Sequence, residues 1–115
     1  MKKLIITLTL LASLYGCKTT NNIYYWGDYA STSYDYKHEP SQETHDKHLA
    51  EITRILAAAE TKNKLIPPGL YIELAMLHAE QGDLTNAKAY LDKELTLYPE
   101  SKEFINLLNQ RMSAG

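Results

Sequence analysis

The chain has 115 residues, with 12 Lys and Arg against 14 Asp and Glu and a formal charge of −2. No basic stripe is present, which excludes a nucleic-acid surface, because phosphate binding needs clustered cations. One cysteine excludes an internal disulfide framework.

The N-terminus reads as an export signal over residues 1–16. Met1-Lys2-Lys3 is a short positive region, and Leu4 to Leu14 is an apolar stretch too short to cross a bilayer as a stable helix. Leu14-Tyr15-Gly16-Cys17 follows at once and resembles the bacterial lipobox, in which the cysteine is acylated and becomes the new N-terminus. Leu14, Gly16 and Cys17 match, and Tyr15 is larger than the usual small residue. The resemblance implies a lipid anchor at Cys17, carrying acyl chains such as palmitate. Two or more chains give stable attachment where one is marginal. By analogy with enterobacterial sorting, an aspartate after the cysteine retains a lipoprotein in the inner membrane. Lys18 stands there, which points to the outer membrane, facing the periplasm.

Residues 17–40 read as a lipidated, aromatic-rich, non-helical tether. Lys18 to Asn22 is a polar stalk. Tyr24, Tyr25, Trp26, Tyr29, Tyr34 and Tyr36 then crowd into a short stretch. Aromatics bring large contact area at low entropic cost, so they either fold back to complete a small core or anchor a partner. Tyr34-Asp35-Tyr36 alternates as a short strand would. The Tyr-Tyr-Trp-Gly-x-Tyr stretch after a lipidated cysteine is similar to a small family of uncharacterised bacterial lipoproteins. That resemblance implies an accessory subunit of an envelope assembly. Its implied protein partner is an envelope component, with a lipoprotein similar to the curli-secretion pore subunit as the candidate. It transfers no catalytic residues.

Residues 41–115 read as four helices. Ser41 caps the first, whose apolar face is Leu49, Ile52, Ile55, Leu56 and Ala59, and Asn63 with Pro67-Pro68-Gly69 ends it. The second starts near Pro68, with Leu70, Tyr71, Leu74, Leu77 and His78 on one side and Ala75 as a small contact point. Gly82 supplies a left-handed stop and Asp83 caps the third helix. The face of that helix is Leu84, Ala87, Leu91, Leu95 and Tyr98, and Pro99 closes it. Ser101 is expected to cap the last helix, whose apolar residues are Phe104, Ile105, Leu107, Leu108 and Met112. The hairpin between Pro68 and Pro99 resembles a tetratricopeptide repeat in Tyr71, Leu74, Ala75, Gly82, Ala87, Leu91 and Pro99, with Glu94 departing from the usual small residue. One such repeat needs covering on both sides. The expected fold is therefore all-α, a tetratricopeptide-like antiparallel array of three to four helices behind the tether.

The chemistry is sparse. His45-x-x-His48 has metal-like spacing but no second ligand cluster, so it reads as a solvated helix face, and no metal or cofactor is expected. His78 reads as a packed helix residue. The acidic residues read as solvated surface. No nucleophile–base pair or phosphate loop can be assembled, so no enzyme is expected. The function implied is a non-catalytic adaptor in an envelope complex. The alternative is a periplasm-facing lipoprotein that binds or regulates cell-wall glycan or its synthases.

Overall fold

A computed structural model describes residues 23–114. The signal segment, Cys17 and the stalk to Asn22 lie outside the described residues. Among the described residues five α-helices follow one another: α1 (Tyr29–His38), α2 (Gln42–Thr61), α3 (Leu70–Glu80), α4 (Leu84–Leu97) and, after a 3-10 turn at Pro99–Ser101, α5 (Lys102–Ala114). Among the described residues there is no strand, only a parallel bridge between Tyr24 and Leu65. None of the described helices is long and apolar enough to cross a membrane.

Local signals set the helix ends. At α2, Ser41 Oγ accepts from Thr44 N–H at 3.1 Å and Thr44 Oγ1 accepts from Ser41 N–H at 3.0 Å, a reciprocal cap. The helix stops at left-handed Asn63, with Lys64 N–H returning to the Ala59 carbonyl and Asn63 N–H to Glu60. The same closure ends α3 at Gly82, whose φ is +80°, with Asp83 N–H on the His78 carbonyl. Asp83 then turns the chain, since its Oδ1 accepts from Asn86 N–H at the start of α4. The result is a tight helical hairpin.

Two apolar clusters hold the array together. Ile52 and Ile55 of α2 meet Leu70, Leu74 and Leu77 of α3. Ala75 of α3, Ala87 and Leu91 of α4, and Ile105 of α5 form the second. The small alanines let α3 and α4 approach closely, and α3 shows one side to each cluster.

Several expectations are corrected. Residues 29–38 are helical, and the strand-like reading of Tyr34-Asp35-Tyr36 fails. The inward face of α1 is Tyr29, Thr32, Ser33 and Tyr36, at helical spacing but too polar to register as an apolar stripe. Helix α3 begins at Leu70, two residues later than expected, because Gly69, at φ +88°, turns the chain into it. Ser101 lies in the 3-10 turn that runs on into α5 instead of capping it. Leu84, Phe104 and Leu107, placed on apolar faces by periodicity, stand exposed, and none of the described helices covers them.

Candidate functional site

The aromatic segment is tied to the helices residue by residue. Leu65 N–H donates to the Ile23 carbonyl at 2.8 Å, which docks the strand-like start of the segment on the loop after α2. The Tyr25 ring lies under Arg54 and Lys62, and its hydroxyl accepts from Arg54 Nη1. Gly27, at φ +47°, crosses directly over the Glu51–Arg54 ion pair, and Asp28 N–H donates to Glu51 Oε1 at 2.8 Å. The Arg54 guanidinium holds the Glu51 carboxyl below its usual range, against the opposing effect of burial. A Cβ on Gly27 would sit 2.6 Å from Glu51 Oε1 and 2.7 Å from Arg54 Nη2. Gly27→Ala is therefore expected to cost about 1–3 kcal/mol, from the left-handed backbone and the displaced ion pair. Urea denaturation checks it: a midpoint equal to wild type would show that the crossing is unimportant.

Of the six aromatic residues singled out by the sequence, Tyr25, Tyr29 and Tyr36 pack against the first core cluster and Tyr24 is half-buried beside Leu65. Trp26 and Tyr34 remain exposed, Trp26 leaning on Tyr29 and Tyr34 stacking on His38.

Beneath α1 lies a polar chain that no short sequence window contains. His45 and His48, read as solvated, are 6% and 1% exposed. Helix α1 covers them with its tyrosines, and that is why the expectation fails. His48 Nε2 lies 2.6 Å from Glu73 Oε1, so its N–H donates to the carboxylate, an acceptor when ionised. His48 Nδ1 faces Thr32 Oγ1 at 2.8 Å, and the Tyr29 hydroxyl donates to the other Glu73 oxygen. Burial, then the Glu73 bond, pushes the Tyr29 hydroxyl up to about 12. A second chain runs beside it. Tyr36 O–H donates to Glu80, His45 Nε2 lies 3.2 Å from the Leu77 carbonyl, and Gln81 Nε2 contacts His45 Nδ1.

Hydroxyl, imidazole and carboxylate here follow the order used in acyl transfer. Their placement is that of a clamp. Thr32, His48 and Glu73 come from three different helices and join them, and none of the four described surface cavities is lined by any of the three. The two histidines also bond away from each other. Among the described residues no group of three His, Cys, Asp or Glu is arranged to hold a metal ion.

Two acidic residues read as surface are buried, Glu51 and Glu94. Gly69 offers α3 no side-chain cap. Glu94 reaches across from α4, and its Oε1 accepts from Gly69 N–H at 2.6 Å. A carboxylate at this helix start meets the free amides and the positive end of the dipole. The departure from the small residue expected at position 94 thus has a structural purpose. Burial pushes the Glu94 carboxyl up, opposed by the backbone N–H groups of Gly69 and Tyr71.

His78, expected to be a packed residue, contacts the Tyr90 ring and pairs its Nδ1 with Asp83 at 3.1 Å across the hairpin turn.

An apolar groove of about 340 Å³ opens between α3, α4 and α5. Ala75, Met76, Ala79, Leu91, Leu108 and Met112 line it, with Glu80 and Arg111 adding one charge of each sign. Periodicity marks Ala75, Leu91, Leu108 and Met112. Met76, Ala79 and Arg111 escape it because they flank the predicted stripes and become neighbours only when α5 folds back onto α3. Thioether side chains adapt to irregular apolar partners. The lining is suited to contact with an apolar partner.

A family model described as a domain of unknown function (DUF4810) matches residues 23–108, and the chain belongs to that family. No curated protein and no solved structure matches the chain.

Proposed function

We propose that this protein is a lipid-anchored, non-catalytic adaptor of the bacterial outer membrane, facing the periplasm, which presents the groove between α3, α4 and α5 to an envelope protein. The open apolar groove carries this reading. An amphipathic helix of a partner, with apolar residues three and four apart, fits a groove of this kind. The lipobox-like Leu14-Tyr15-Gly16-Cys17 supports the anchor, and the hairpin's resemblance to a tetratricopeptide repeat supports a protein ligand.

The reading is tested in membranes carrying the full chain. Cys17→Ala is expected to leave the outer-membrane fraction, and Met76→Glu is expected to remain there but lose a stoichiometric crosslinked partner. Met76 is partly exposed, so the charge disturbs the groove more than the core. An unacylated Cys17, or a partner retained in full by Met76→Glu, would overturn it.

A further inference from the structure

The described chain begins on an apolar surface at one end of the helical array. Ile23, Leu65 and Leu97 are 60%, 59% and 47% exposed there. Leu65 and Leu97 line a second cavity with Tyr24, Lys64, Ile66 and Tyr98. A shallower hollow, lined in part by Ile66, Tyr71, Lys93 and Leu97, adjoins it. Tyr98 O–H donates to the Ile66 carbonyl at 2.5 Å, which pins the end of α4 to the loop before α3. The cations Lys62, Lys64 and Lys93 stand at or near this surface, Lys62 over Tyr25 and Lys93 over Tyr71 and Tyr90. Glu100 lies close to Tyr98. Aliphatic side chains, tyrosines and lysines together are the composition that settles at a bilayer's headgroup level.

The length of chain ahead of this surface decides what can cover it. Six residue steps separate Cys17 from Ile23. Fully extended, they reach about 20 Å. An acylated Cys17 sits at the membrane surface, so Ile23 is held within that distance of the headgroups. The surface that carries Ile23 is then within reach of the lipid. We propose that Ile23, Leu65 and Leu97, with Tyr24, Tyr98 and the neighbouring lysines, form a membrane-facing surface that rests on the phospholipid leaflet holding the protein's own acyl chains. This rests on the lipid anchor of the proposed function and adds an orientation to it. Three large apolar side chains would hold an untethered protein weakly, but the anchor keeps them at high local concentration. Their effect is to orient the array.

The orientation has a consequence for the groove. Leu70, at the start of α3, follows the loop that carries Leu65 and Ile66, whereas Ala79 lies in the groove near the end of the same helix. Nine residues of helix put about 13 Å between them along its axis. A bilayer against the first end leaves the second directed toward the periplasm.

The test uses the full acylated chain in vesicles of phosphatidylethanolamine and phosphatidylglycerol. Cys17 is the sole cysteine and is blocked by acylation, so each introduced cysteine takes a nitroxide alone. Leu65→Cys and Leu97→Cys probe the surface; Leu84→Cys and Met76→Cys are controls on exposed positions elsewhere. At 65 and 97, collision with a water-soluble nickel reagent is expected to fall about threefold or more below the controls, with collision by oxygen rising. Equal nickel collision at all four sites would overturn the proposal and leave the anchor standing. A fall in both reagents, or spin–spin broadening between labels at 65, would place protein there instead of lipid and also overturn it. Loss of the chain from the vesicles would strike the anchor itself, and the proposal with it.

Discussion

Replacing His48 with alanine is expected to release α1 from the array while the α3–α4 hairpin stays folded. The ring is 1% exposed and is bonded on both nitrogens, to Thr32 of α1 and Glu73 of α3. It also stands between the rings of Tyr29 and Tyr36, at 5.2 and 6.3 Å. Truncation leaves a cavity and removes a partner from Glu73, a loss of about 2–4 kcal/mol. The loss falls on the contact between α1 and the remaining helices, because the hairpin has its own apolar cluster of Ala75, Ala87, Leu91 and Ile105. Hydrogen exchange should show amides 32–39 losing protection while those around Leu91 keep theirs. His48→Phe restores most of the volume but not the bonds, and is expected to fall between wild type and alanine. Equal stability of His48→Phe and wild type would mean that packing, not the polar chain, retains α1.

The second large effect is at Glu94. Glu94→Ala is expected to cost about 2–4 kcal/mol, since it opens a cavity and strips the Gly69 amide of its acceptor. Glu94→Gln keeps an acceptor of the same size without a buried charge, so it should match or exceed wild type at neutral pH. The pH dependence follows from the direction of the shift. Burial raises the Glu94 carboxyl above its usual 4.5, so the folded state holds the proton more tightly than the unfolded one. This contribution is full below the unfolded value and is lost as pH rises through the folded value. Glu94 therefore lowers stability as pH climbs from about 4.5 through its raised value, and this slope should be absent from Glu94→Gln, so that wild type loses stability relative to the glutamine variant over that window. Paired urea titrations at several pH values measure it. A wild type that gains stability relative to the glutamine variant over that window would reverse the assignment.

How much was legible in the sequence depended on the range of the interaction. Ser41, Gly82, Asp83 and Pro99 act on backbone groups within a few residues, so they were readable as caps and stops. The apolar positions Ile52, Ile55, Leu74 and Leu91 recur at helical spacing and are buried. Helix α1 was missed because the side it turns inward is hydroxyl-bearing, and its partners are histidines and carboxylates. Tyr29 and Glu73 are 44 residues apart, and His48 and Glu73 are 25 apart. Nothing in either local window announces the other. The Trp-Gly step was conspicuous in the sequence, but its reason was not. Gly27 is needed because Glu51 and Arg54, from another helix, occupy the space a Cβ would take.

The sequence by itself determined the helical class, several helix ends, and most of the buried apolar positions of α2 to α5. All of these are written in spacing or in single residues with strong backbone preferences. The tertiary structure decided that the aromatic segment carries a helix of its own, that two histidines are buried beneath it, that Glu94 caps a neighbouring helix, and where the groove opens. Each depends on side chains brought together from distant parts of the chain. Their cost or benefit exists only once water has been excluded between the helices.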